Sequence, residues 1–127
     1  MIRQSFNIKH YWKVIVYYNI DYNFFDLAEA DLAHINSPVK ERIHIFTLLG
    51  QHKIKGVTIS NLDLNTSIVL ITRHRSIPDF ISTIVHEAEH IKQAMLNKYK
   101  VDDKEEPPAY TIGYLVMRMY NVWRYLI

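Results

Sequence analysis

The chain of 127 residues contains no cysteine, only three glycines and only four prolines. Without cysteine it can have no disulfide, no thiolate zinc ligand and no thiol nucleophile, so a metal would have to be held by nitrogen and oxygen. Neither sign of charge dominates: 15 Lys and Arg stand against 13 Asp and Glu, a formal net charge of +2. Such a balance does not by itself point to nucleic acid. Long apolar runs are also missing. Val14-Ile15-Val16 and Ile68 to Ile71 are the cleanest, and both are far too short to span a membrane. The N-terminus has an early Arg3 and no uninterrupted apolar stretch, so no signal peptide is expected and the expected compartment is the cytoplasm. What remains is an ordinary globular composition, 49% hydrophobic, 13% aromatic and 22% charged. At this length one core suffices, and residues 1–127 read as a single domain.

Trp12 to Ile20 is rich in Val, Ile and Tyr and reads as the first strand, bounded by Asn19, Asp21 and Asn23. From Phe24 to Ile35 apolar residues recur at spacings of three and four, the signature of a helix face. Ser37-Pro38 offers a cap followed by proline at the first helical position, and a second apolar stripe runs from Val39 to Leu49, with Gly50 as terminator. Val57–Leu62 and Ser67–Thr72 are short β-rich runs joined by Asp63-Leu64-Asn65-Thr66, which predicts an antiparallel hairpin. Ser76-Ile77-Pro78-Asp79 has the spacing of a capping box and opens a helix to about Asn97. A charged, proline-marked linker, Asp102 to Pro108, then feeds a last helix from about Pro108 to Leu126. The expected fold class is α+β, a small antiparallel sheet with helices packed against it. Residues 1–55 supply a strand and helices, and 56–127 the hairpin and the two long helices.

One constellation carries chemistry. His86-Glu87-Ala88-Glu89-His90 fits H-E-x-x-H within the capped helix. Imidazoles four residues apart lie one turn apart on one face and can converge on one ion, and zinc takes such nitrogens with one position left open. Glu87 sits beside that face, placed to take a proton from a metal-bound water. Phe80, Ile81, Ile84, Val85, Ala88, Ile91 and Met95 form the apolar stripe, and His86 and His90 lie roughly opposite its centre, so they face water or a cleft. The same residues are also compatible with a plain solvated helix face.

A zinc site needs a third protein ligand, and a carboxylate from a neighbouring helix is a standard one. Glu105 and Glu106 lie at the entry to the last helix, where the macrodipole would favour acids in any case. Glu106 shares a face with Ala109 and Gly113, whose small side chains would let the helices approach closely, whereas Glu105 points toward the side of Ile112 and Trp123. Glu106 is therefore preferred, with Glu105 as the alternative.

His86-Glu87-x-x-His90 followed by Glu106-Pro-Pro-Ala-Tyr110 resembles the zincin metallopeptidases that use a glutamate third ligand. It looks like small phage- and bacteria-encoded zinc peptidases and, more distantly, the antirepressor peptidases of the ImmA/IrrE kind. The resemblance covers about Val57 to Met117, including the hairpin, where zincins place an edge strand beside the metal. The linker is shorter than in thermolysin-like enzymes and no acid follows Glu106 by four residues, so peptidase specificity is not carried over. The resemblance implies bound zinc, a peptide or protein substrate, and a transition-state stabiliser near the metal. Tyr110 and His74 are the candidates, although a tyrosine there can equally be packed and Arg73-His74-Arg75 can be either a carboxylate-holding cluster or a solvated turn.

The expected reaction is hydrolysis of a peptide or related amide bond with Glu87 as general base. The second hairpin strand is expected near the metal helix, its edge open to an extended peptide. Two readings from other classes stand beside this one. A zincin-shaped module without catalysis is disfavoured by the intact Glu87. A nucleic-acid binder would need a basic patch with stacking aromatics, whereas the basic residues here are scattered and most aromatics fall on apolar stripes. His10, His34, His44 and His52 have no ligand spacing.

Overall fold

A computed structural model describes residues 1–9, 11–21, 25–99 and 106–126 of the chain, with residues 106–110 described by their backbone alone. The elements run β1 (Ile2–Ile8), β2 (Trp12–Tyr18), α1 (Phe25–His34), α2 (Val39–Gly50), β3 (Gly56–Asn61), β4 (Thr66–Ile71), α3 (Ile77–Tyr99) and α4 (Glu106–Tyr120), closed by a 3-10 turn at Trp123–Tyr125. Phe24 and the linker before Glu106 lie outside the described residues.

The fold is α+β, but the sheet is mixed rather than antiparallel. Its order is β1-β2-β4-β3. β1 pairs antiparallel with β2, and β3 antiparallel with β4, while β2 and β4 run parallel with Ile15 opposite Ile68. Alternation explains how this sheet is covered on both faces. Val14, Val16, Tyr18, Val69 and Ile71 pack with Phe80, Ile84, Ala88 and Ile91 of α3 and Leu115 and Met119 of α4. Ile15, Tyr17, Ile68 and Leu70 pack instead with Ala28 and Leu32 of α1 and Ile45 and Leu49 of α2. β4 is central and double-faced, which is why all six of its residues are buried and its sequence shows no polar alternation.

β1 was not anticipated from the sequence. Its inward Phe6 and Ile8 alternate with exposed Ser5 and Asn7, a period of two that can be read in retrospect. The scarcity of glycine is met by asparagine: Asn19, Asn36 and Asn65 take φ of 55°, 62° and 49° at turns, and no glycine has positive φ. Asparagine tolerates the left-handed region because its short side chain bonds locally. Ser37 does not cap α2. The cap position is Pro38, and the Ser37 hydroxyl is buried without a hydrogen-bond partner among the described residues.

Ser76 does cap α3, accepting from the Asp79 amide at 3.3 Å. The Asp79 carboxylate does not reach back as a capping box would. It accepts from Lys55 Nζ at 2.6 Å and ties the start of the helix to the chain just before β3. α3 and α4 run antiparallel, because Phe80 in the first turn of α3 packs on Trp123 beyond the end of α4 at 4.8 Å between ring centroids. Among the described residues, no helix is long and apolar enough to cross a membrane.

Candidate metal centre

α3 is rolled on the sheet relative to the expected stripe. Phe80, Ile84, Ala88 and Ile91 are buried as anticipated, but Thr83, Glu87 and Lys92 are buried too, while Ile81 and Val85 are exposed. The cause is the edge strand. Thr83 and Glu87 face β3, where Gly56 has no side chain and lets the helix come close. This also corrects which hairpin strand adjoins the histidines. β4 is hydrogen-bonded on both sides, so its edge is not open, and it is β3 that lies against this part of α3 with one edge unpaired by any described strand.

His86 and His90 are both exposed. Their Nε2 atoms stand 3.2 Å apart, with the rings nearly perpendicular at 79°. Two nitrogens, each 2.0–2.1 Å from one tetrahedral ion, would stand roughly 3.3 Å apart, so the pair fits zinc in donor type and spacing. The ligand atoms of His86, Glu87 and His90 all lie within 4.8 Å of one another. His86 and Glu87 border a cleft of about 290 Å³ between the start of β3 and α3, walled by Ile54, Lys55, Gly56, Ser82 and Thr83.

Glu87 is the unusual member. It is only 2% exposed, and burial pushes its carboxyl above the usual range. The Thr58 hydroxyl donates to Oε1 at 3.1 Å and, with the neighbouring His86 and His90, partly opposes that rise. Buried and held by one side-chain hydrogen bond, this carboxyl keeps a proton more readily than an exposed glutamate does. Thr58 and Gly56 escaped the sequence reading, although a glycine opening a β-rich run is a recognised sign of close backbone approach.

His74 does not enter the cleft and is not in a solvated turn. It is buried, with Nδ1 2.8 Å from the Thr72 carbonyl and Nε2 2.7 Å from Thr83 Oγ1. The carbonyl can only accept, so Nδ1 donates to it, and Nε2 shares the other hydrogen bond with the threonine hydroxyl. Both nitrogens are spent on structure, and none is left for an oxyanion. Glu89 is exposed and pairs with Lys92 at 2.9 Å.

Glu106 is the first residue of α4, and Tyr110 follows one turn later. Their side chains lie outside the described residues, as does Glu105. Gly113 is exposed, and a Cβ there would meet nothing within 4 Å, so close helix approach at that position is not what α4 uses. It packs through Leu115 and Met119, with Ile112 and Val116 beside them. No family model, curated protein or solved structure matches this chain.

Proposed function

We propose that this chain is a zinc-dependent hydrolase of the zincin kind that cleaves a peptide or related amide bond. The observation that carries the reading is the 3.2 Å separation of His86 Nε2 and His90 Nε2 beside the buried carboxylate of Glu87. His86 and His90 hold the ion, and Glu106 is assigned as the third protein ligand from its place at the start of the helix that follows. When bound, zinc supplies a Lewis acid and a water whose pKa falls toward ~7.

The chain's own residues do the proton work. Glu87 accepts the proton of the attacking water and delivers it to the leaving amine, and its raised pKa suits both tasks. Thr58 occupies Oε1, which leaves Oε2 beside Gly56 to carry the proton. One edge of β3 pairs with no described strand and gives an extended substrate main-chain partners, and Gly56 at the start of β3 lines the same cleft. Tyr110 is the remaining candidate to stabilise an oxyanion, because His74 is committed elsewhere.

The test is Glu87→Gln beside wild type, both loaded with zinc, on a proteome-derived peptide library. Zinc retained and cleavage lost supports the mechanism. Cleavage unchanged by the substitution contradicts it.

A further inference from the structure

A cavity of about 480 Å³, roomier than the metal cleft, lies elsewhere on the molecule. It lies beyond the carboxyl ends of β2 and β4, the parallel pair, and is walled by Asn19, Ile20 and Asp21 after β2 and by Thr72, Arg73 and Arg75 after β4. In open sheets with parallel strands, ligands recur in the crevice outside the carboxyl ends, where successive connections diverge. The volume is in the range of small-molecule pockets.

Its chemistry is divided. Ile20 and Leu49 are buried, and with Phe25 they give an apolar floor. Arg73 and Arg75 stand exposed at the mouth, and among the described residues neither guanidinium makes a hydrogen bond or an ion pair. The residue between them explains their direction. His74 is anchored inward by Thr72 and Thr83, while Arg73 and Arg75 on either side of it are exposed and line the cavity. The anchor therefore leaves an arginine on each side of it at the same cavity. Asp21 is the one acid among the described residues of the lining and is itself engaged, so these residues keep an excess of positive charge. Paired guanidinium forks match the oxygens of a carboxylate or phosphate.

We infer that this cavity is a second binding site, taking a small molecule or chain terminus that bears a carboxylate or phosphate on an apolar body, with Arg73 and Arg75 holding the anion. The inference is independent of the metal.

The experiment titrates full-length His86→Ala/His90→Ala protein with EDTA present, so that no anion can bind through a metal, and follows backbone amide shifts by NMR. The probes are N-acetyl-phenylalanine, phenyl phosphate and the neutral N-acetyl-phenylalaninamide. At least one anion should saturate, with shifts at Asn19–Asp21 and Thr72–Arg75, and which one does so distinguishes carboxylate from phosphate. The amide should not bind, and Arg73→Gln and Arg75→Gln should each weaken the anion at least about tenfold, the loss of one charge-assisted hydrogen bond. Binding of the amide as tight as that of the acid overturns the inference. So does failure of both anions to saturate by about 20 mM, a limit that needs neither arginine variant.

Discussion

Gly56 and Glu87 approach so closely that a Cβ at position 56 would stand 3.1 Å from Glu87 Oε2 and 3.3 Å from its Cγ. The glycine's conformation is ordinary, so the requirement is space and not backbone freedom. Gly56→Ala is expected to displace the carboxylate, lower turnover and leave zinc affinity unchanged, at a stability cost of about 1–2 kcal/mol from overpacking. Kinetics and urea unfolding on the same variant check both halves. Full activity would mean that the open space beside Oε2 is not used.

Thr58 gives a second handle on the same group. Its hydroxyl bond favours ionised Glu87, so Thr58→Val should raise the carboxyl pKa further. The base would then be free only at higher pH, and the acid limb of the pH–rate profile should move upward. A limb that stays in place would show that another group titrates there.

The elevated Glu87 pKa also has a sign in stability. Native protein holds this proton more tightly than the unfolded chain does. The contribution therefore favours folding at low pH and is lost as pH rises through the carboxylate range and the native value. In metal-free protein, Glu87→Gln should be more stable than wild type near pH 8, with the gap closing below about pH 4. Thermal unfolding in EDTA at the two pH values measures it, and a gap independent of pH would contradict the assignment.

His74 should behave as a brace. Its ring joins the Thr72 carbonyl to Thr83 Oγ1 and meets the Phe80 ring at 5.9 Å. His74→Ala should cost about 2–3 kcal/mol in urea unfolding, the cost of two lost hydrogen bonds at a buried position, and leave zinc affinity unchanged. Loss of zinc with unchanged stability would place His74 in the metal site instead.

Much of this site was legible in the sequence because helical spacing is local. The i, i+4 histidines and their exposure follow from period alone, as does the antiparallel hairpin from its β-branched runs and Asn-containing joint. The β2–β4 pairing was not legible. It joins Val14 to Ser67 across two helices and a strand, and a fully buried strand shows no alternation to orient it. The roll of α3 was hidden for a related reason. Ile81 and Val85 look like core and Thr83 and Glu87 do not, until the missing side chain of Gly56 draws the helix onto β3. His74 was misplaced because two arginines beside it suggest a wet turn, while its burial depends on Thr83 in the next helix.

Zinc binding tests the central claim most directly. Wild type, His86→Ala, His90→Ala, Glu106→Gln and Glu105→Gln are stripped of metal and titrated with zinc, the affinity being read by competition with a chelator. Wild type should bind one ion, and either histidine variant should lose it. Glu106→Gln should weaken it by more than the about 10–100-fold that an outer-shell loss costs, with Glu105→Gln near wild type. Equal zinc affinity in wild type and His86→Ala would contradict the metal site, and with it the proposed hydrolysis.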